Sequence, residues 1–348
     1  MNTPLLRPVS CGTPRGLGAS DTGSVSLCSF SASQGMPRVG EQRARGTGGP
    51  PCSPLALLCC AVLAVLGVVL LPDAAFAWGP GVHMVAAHWL LQNVSLLPTA
   101  VGSALLAHPD AFLYGSLSAD IFIGKGCTVT PGHSHNWSTG HTLYEAADTP
   151  RLHAYACGYL AHLAADTVAH NHYVPTLLGG TPGTGKLSHV YVEMQADRMV
   201  EWDAAEAVSL FRLPNGAADR TLLQATHGGH WPFAFKKRLF QGSLAVSGKQ
   251  SWRRSLRLVH RVMPHAADRA YLCEMIDVSV RAVVDVLRDP HGSVVTGIDP
   301  IGSDNLAEAR DVCRGVRPMV ARRPGGVRFP LDERLVDLPY LPVPCRAA

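Results

Sequence analysis

Charged residues are scarce in this 348-residue chain: Asp, Glu, Lys and Arg make up 16% of it, against 47% for apolar residues. The formal net charge is only +4, and this balance lacks the concentrated positive charge typical of proteins that follow a phosphate backbone. We therefore expect no nucleic-acid partner. So apolar a chain has ample material for a buried core, in one large domain or two ordinary ones.

The chain also lacks the cysteine pattern of a disulfide framework. Of its ten cysteines, five lie within the first 60 residues. The other five are scattered, odd in number and without C-x-x-C spacing: Cys127, Cys157, Cys273, Cys313 and Cys345. This spacing predicts no disulfide scaffold and leaves room for one pair in an oxidising compartment.

Period-two alternation bounded by turn signals is missing as well, so we expect no β-strands, and no internal repeat is present. Apolar residues recur instead every three or four positions. This spacing is clear in "VHMVAAHWLLQNV", "RLHAYACGYLAHLAADTVAH", "SHVYVEMQADRMVEW" and "AADRAYLCEMIDVSVRAVVDVL". It predicts amphipathic helices and a single all-α, multi-helix domain over residues 78–289.

The two ends of the chain differ from this domain. Residues 1–54 are rich in Gly, Ser, Pro and Arg and predict a disordered leader, unless translation starts at Met36. Residues 55–77 combine a 17-residue apolar run with "AFA", which indicates a signal peptide cut before Trp78. The protein is then secreted or periplasmic, or membrane-anchored if the signal is not cleaved. Residues 290–348 are predicted to form an irregular, proline-rich tail.

Histidine is the unusual residue. All 16 histidines follow Trp78, and 11 of them lie between His83 and His189. His162, Asp166 and His170 stand four residues apart, which places them along one stripe of a helix. Two imidazoles and a carboxylate on one stripe predict a zinc site. His172 is the alternative to His170, which we favour as the third residue.

Three further elements carry residues of the same chemical types. His189 and Glu193 are four apart on a predicted helix, and Asp120 is embedded in apolar residues. His133 and His135 lie in a loop containing Gly and Pro, from which a side chain can reach inwards. Any one of them alone fits a surface or capping residue. Together with the helix stripe they predict a metal centre.

The order Trp, His, Asp, His, His-x3-Asp, His, His-x3-Glu, between residues 78 and 202, resembles the zinc-dependent phospholipase C family of secreted bacterial enzymes. The resemblance implies an all-helical fold and three metal ions, usually zinc. It also implies that the mature chain begins at Trp78, whose free amine and carbonyl oxygen bind metal. Cleavage before Trp78 would then complete the site.

The resemblance assigns the remaining roles residue by residue. Asp120 is implied as a metal ligand and general base, and Asp166 as a carboxylate that bridges two metals. The full implied ligand set is Trp78, His83, Asp120, His135, His162, Asp166, His170, His189 and Glu193, with His133 and His172 as alternatives.

The implied activity is that of an exported, zinc-dependent phosphodiesterase. As a phospholipase C it would act, as a monomer, on phospholipids at a membrane surface and release diacylglycerol and a phosphorylated head group. The alternatives are a single-strand nuclease of the same fold and a non-catalytic, membrane-tethered metalloprotein. A set of basic residues fits a solvated helical face better than a lipid-attracting one: Lys236, Lys237, Arg253, Arg254 and Arg257.

Overall fold

The computed structural model describes residues 78–122, 132–178, 186–248, 269–314 and 329–341, all of them in the compact unit Ser53–Ala348. The predicted leader and signal segment, and Arg253, Arg254 and Arg257, lie outside the described residues. The side chains of residues 186–190 are also outside them.

Thirteen α-helices occur in these ranges, with no β-strand among the described residues, so the predicted all-α fold is confirmed. They are α1 Pro80–Gln92, α2 Thr99–Ala107, α3 Pro109–Ser118, α4 Trp137–Glu145, α5 Pro150–Val168, α6 Val174–Leu178, α7 Lys186–Met199, α8 Ala204–Leu210, α9 Gly216–Ala225, α10 His230–Ser247, α11 Arg269–Arg288, α12 Ser303–Arg314 and α13 Glu333–Val336. Short 3-10 turns lie at Val94–Leu96, Ala119–Phe122 and Val294–Gly297, and a π-helix spans Ala169–Tyr173.

Local sequence signals set the beginnings of the helices that carry the site. The Thr149 side chain accepts a hydrogen bond from the Leu152 amide at the start of α5, and Pro150 follows it at the first helical position. The Asn136 side chain accepts from the Ser138 amide at the start of α4. Each side chain satisfies an amide that the helix itself leaves unpaired.

Helix α5 is the centre of the domain. Every residue from 154 to 168 is buried, and the neighbours packed around this helix include α3, α4 and α11. A helix buried on all sides is normally apolar throughout, because a buried polar group costs free energy unless it is partnered. His162 and Asp166 break that rule at the middle of the molecule.

Two glycines, Gly115 and Gly158, lie at a close contact between α3 and α5. A Cβ added to Gly158 on α5 would lie 2.1 Å from the Phe112 carbonyl oxygen of α3, and one added to Gly115 would lie 2.1 Å from the Tyr155 carbonyl oxygen. Since only glycine permits this approach, the two residues set the spacing between α3 and α5. That spacing in turn places the end of α3 beside His162.

Helix α5 continues past Asn171 through the π-helix Ala169–Tyr173 into α6. Pro175 has no amide to donate to the Asn171 carbonyl one turn earlier. The Asn305 side chain donates to that carbonyl instead, at 2.8 Å. The wider π turn thus lets the chain remain helical past a proline.

The prediction of an irregular tail from residue 290 onward is wrong for residues 303–314, which are helical. Helix α12, Ser303–Arg314, packs against α6 and the π-helix, and α13 packs against α11. Gly302 has φ +61°, and an added Cβ would lie 2.4 Å from the His170 carbonyl oxygen. Residues beyond 289 therefore pack against the π-helix and donate a hydrogen bond to its backbone.

Two further findings concern the hydropathy of the helices and the state of the cysteines. Among the described residues, none of the helices has the length and hydropathy needed to cross a bilayer. Cys157 is a buried free thiol, whereas Cys273 is disulfide-bonded.

Candidate metal centre

Four buried side chains converge at the centre of the domain: Asp120, His135, His162 and Asp166. One potential ligand atom from each lies within 4.8 Å of all the others. Asp120 comes from the 3-10 turn after α3, His135 from the loop before α4, and the other two from successive turns of α5. Three separate parts of the chain thus place two imidazoles and two carboxylates at one point.

The ring of His162 is oriented by a backbone carbonyl. Its Nδ1 lies 3.0 Å from the Ser116 carbonyl oxygen, which can only accept a hydrogen bond, so Nδ1 carries the proton. In neutral His162 the Nε2 lone pair then points into the cluster, 3.0 Å from His135 Nε2. This is the orientation in which a protein holds an imidazole for a metal ion.

Asp166 contacts most of the groups in the cluster. Its Oδ1 lies 3.1 Å from His83 Nε2 and 3.4 Å from the Trp78 backbone nitrogen. Its Oδ2 lies 3.1 Å from His162 Nε2 and 3.3 Å from His135 Nε2. Within the described part of the chain, Oδ2 has no neighbour at hydrogen-bonding angles. Three imidazoles and the Trp78 nitrogen thus gather around one carboxylate.

Trp78 is held in place by its side chain. The indole Nε1 donates to the Ala165 carbonyl oxygen at 3.0 Å and to Ser279 Oγ at 3.1 Å. Its ring packs on Tyr173, with centroids 4.5 Å apart, and only 1% of the residue is exposed. A buried, doubly hydrogen-bonded indole keeps the backbone nitrogen of Trp78 next to Asp166.

The segment after Trp78 is held by a residue that the sequence reasoning missed. Asp197 of α7 accepts a hydrogen bond from the Val82 amide at 3.0 Å, and thereby caps α1. A Cβ on Gly79 would lie 2.4 Å from this carboxylate, and one on Gly81 would lie 2.5 Å from the Trp202 indole nitrogen. Two features of the sequence could have indicated this contact: the two glycines of "WGPG" and the four-residue step from Glu193 to Asp197.

The π-helix separates the two candidate histidines that follow Asp166. His170 Nε2 lies 3.9 Å from Asp166 Oδ2. The His172 ring lies beside the backbone of Pro330 and the Asp332 carboxylate, and its burial lowers its pKa. The structure therefore places His170, and not His172, toward the cluster.

Among the remaining predicted residues, the side chains of Glu193 and His133 lie near the four. Glu193 is buried, and His189 lies one turn earlier on α7, but the side chain of His189 is outside the described residues. His133 Nδ1 accepts a hydrogen bond from the His135 amide at 3.0 Å. The His133 ring therefore shapes the loop that presents His135.

The buried carboxylates in and beside the cluster shift the pKa values of neighbouring groups. Burial, reinforced by the carboxylates of Asp120, Asp166 and Asp197, raises the pKa of Glu193 well above its usual range. Burial alone would lower the pKa of His135, but the carboxylates of Asp120 and Asp166 raise it to about 9. A bound cation would relieve both perturbations, because it would supply the positive charge that the carboxylates now draw from protons.

These residues fit zinc. Imidazole nitrogens and carboxylate oxygens are the ligands that this ion takes besides thiolates. Ligand atoms on one zinc, each bound at about 2.1 Å, lie within about 4 Å of one another, and the four described atoms are already within 4.8 Å. Asp120, His135, His162 and Asp166 would hold the ion, with His83 and His170 at the edge of the cluster.

Residues 82–232 match the family model described as zinc dependent phospholipase C. The match contains all four residues of the cluster, and Trp78 lies just before it. Over these residues the match to the zinc-dependent phospholipase C family supports the family predicted from the sequence. The family suggests a zinc-dependent hydrolase, and the cluster supplies candidate ligands for the metal. No curated protein and no solved structure matches the chain significantly.

Proton competition gives a testable property of this centre. With a pKa of about 9, His135 is protonated at neutral pH in the metal-free protein, and an imidazolium has no lone pair for a metal. Zinc affinity should therefore rise about tenfold per pH unit between about pH 6.5 and 8.5 for each proton displaced. Calorimetric titration in buffers of different ionisation enthalpy measures both the affinity and the proton number.

Two variants sharpen this measurement. His135→Gln should bind zinc more weakly and with a slope smaller by about one proton. His88→Gln, which removes a half-exposed histidine paired with Glu206 outside the cluster, should leave the slope unchanged. An affinity that does not depend on pH over this range would contradict the assignment of His135.

Proposed function

We propose that the protein is an exported zinc-dependent phospholipase C, which hydrolyses phospholipids at a membrane surface to diacylglycerol and a phosphorylated head group. The observation that carries the proposal is the buried convergence of Asp120, His135, His162 and Asp166 within a region that matches this family. The protein acts as a monomer and needs no nucleic acid.

The residues of the cluster have different roles in the proposed hydrolysis. Zinc, when bound, would neutralise the negative charge of a phosphodiester and lower the pKa of a bound water to about 7. Asp120, whose Oδ1 lies 3.3 Å from His135 Nε2, accepts the proton of the attacking water. His162 keeps its proton on Nδ1, against the Ser116 carbonyl, so its other nitrogen remains available to the centre. The new P–O bond forms from water, the P–O bond to glycerol breaks, and the proton ends on the glycerol oxygen.

Export is part of the proposal because of Trp78. Its backbone nitrogen lies 3.4 Å from Asp166 Oδ1, and cleavage after "AFA" would turn that amide into an amine with a lone pair. Cys273 is disulfide-bonded, and disulfides persist in oxidising compartments. N-terminal sequencing and intact mass of the exported protein should give a chain that begins at Trp78. A mature chain that begins elsewhere would remove the amine from the centre.

The substrate is tested with defined substrates and product analysis. Zinc-loaded protein should release phosphorylated head group and diacylglycerol from dispersed phospholipids. A chelator should abolish this release and added zinc should restore it, because the ligands are held by the fold. Release of nucleotides from single-stranded DNA in place of head group would instead indicate a nuclease. A zinc-loaded protein that cleaves neither substrate would support the non-catalytic, membrane-tethered alternative.

A further inference from the structure

Helix α10, His230–Ser247, carries a row of exposed apolar side chains. Trp231 is 89% exposed, Phe235 64%, Leu239 47% and Val246 42%. At 3.6 residues per turn these four positions fall within an arc of about 80° on the helix. We call them the Trp231 face. Large apolar side chains gathered in this way mark interaction sites, whereas single ones do not.

The opposite side of the same helix is packed into the domain. It buries Phe233, Phe240 and Leu244, and the rings of Phe233 and Phe122 lie 5.5 Å apart. Phe122 is in the same 3-10 turn as Asp120. The helix is thus anchored on the turn that supplies a residue of the metal centre, while the Trp231 face points away from the core.

The charged side chains that α10 itself carries are all basic. Arg238 is exposed and Lys236 is half-buried, while Lys237 is paired with Asp219 at 2.6 Å. Along the sequence, residues 230–267 contain eight Lys and Arg and no Asp or Glu. Like charge opposes the pairing of two such faces, whereas an anionic surface attracts them.

We propose that the Trp231 face docks the protein onto an anionic phospholipid bilayer. Aromatic and aliphatic side chains of an interfacial helix enter the boundary between head groups and acyl chains, while flanking Lys and Arg contact anionic head groups. Docking through α10 would place the Asp120 turn one helix diameter, roughly 10 Å, from the membrane surface. The inference rests on the proposed function for its biological meaning, but bilayer binding is measured without catalysis.

The test is co-sedimentation of the full protein with vesicles of phosphatidylglycerol, of phosphatidylcholine, and of mixtures of the two. The native protein should bind more tightly as the phosphatidylglycerol fraction rises and less tightly as salt rises. Trp231→Ser combined with Phe235→Ser should lower the partition coefficient at least about tenfold, because two large side chains no longer enter the interface. Arg238→Gln should lower it about fivefold and only on anionic vesicles.

The matched control is Tyr340→Ser, which removes an aromatic side chain that is 78% exposed outside α10 and should leave vesicle binding unchanged. Melting temperature and zinc content show whether each variant is folded. The proposal is overturned if the double variant binds anionic vesicles like the native protein, or if the native protein binds none. It is also overturned if sedimentation shows a dimer that the double variant abolishes, since the face would then bind a second copy. A native protein that binds vesicles but hydrolyses no phospholipid would refute the proposed function and leave docking standing.

Discussion

Asp166→Asn is expected to lower phospholipid hydrolysis by about 10³-fold and to remove zinc from the protein. Asp166 is the residue on which His83, His135, His162 and the Trp78 nitrogen converge, at 3.1 to 3.4 Å. The amide of asparagine keeps the shape of the side chain but loses its charge. It also turns one oxygen into an N–H group that repels a cation. Zinc per chain and kcat/KM are the measurements.

The control for this variant is Asp277→Asn. Asp277 lies on α11 and pairs with Arg281 at 3.0 Å, outside the cluster, so its loss should change kcat/KM by no more than about twofold. The helical circular dichroism signal distinguishes loss of metal from loss of fold. An Asp166→Asn protein with full zinc and near-native kcat/KM would sink the assignment of this centre.

Gly158→Ala is expected to destabilise the fold by about 3 kcal/mol, against the usual effect of such a change. Alanine in place of glycine inside a helix normally stabilises by about 1 kcal/mol. At Gly158, however, the added Cβ would meet the Phe112 carbonyl oxygen at 2.1 Å and the Gly115 Cα at 3.0 Å. Because both neighbours are backbone, the steric cost exceeds the gain in helix propensity. Urea denaturation gives the free energy of unfolding.

A second glycine provides the matched comparison. At Gly242 on α10 an added Cβ would have open space around it, so Gly242→Ala should stabilise by about 0.5 to 1 kcal/mol. The two variants should therefore shift the unfolding midpoint in opposite directions. A Gly158→Ala protein as stable as the native one would show that α3 and α5 are not held at this spacing.

Local sequence patterns were sufficient to predict much of the site. The four-residue step between His162 and Asp166 needs only the geometry of one helix, and the structure places both in the cluster. The all-α fold followed from apolar residues at helical spacing, and the family from the order of ligand-like residues. In each case the information lies within one helix or along the chain, so a sequence displays it directly.

The choice between His170 and His172 is not encoded in any local pattern of the sequence. That choice depends on the π-helix Ala169–Tyr173, which depends in turn on Asn305 reaching the Asn171 carbonyl from a distant helix. The irregular tail was predicted wrongly for the same reason. Prolines and polar residues near the end of the chain gave no sign that Asn305 donates a hydrogen bond to the backbone of the π-helix.

Backbone groups account for the features of the site that no sequence pattern predicted. The Ser116 carbonyl orients His162, the Gly115–Gly158 contact sets the helix spacing, and Asp197 caps α1 across the domain. Backbone carbonyls are the same in every residue, and glycine has no side chain, so neither leaves a chemical signature at its partner's position. The sequence therefore identified which residues have the chemistry to bind zinc. Packing between distant segments brought them within 4.8 Å, because convergence depends on contacts that no local pattern encodes.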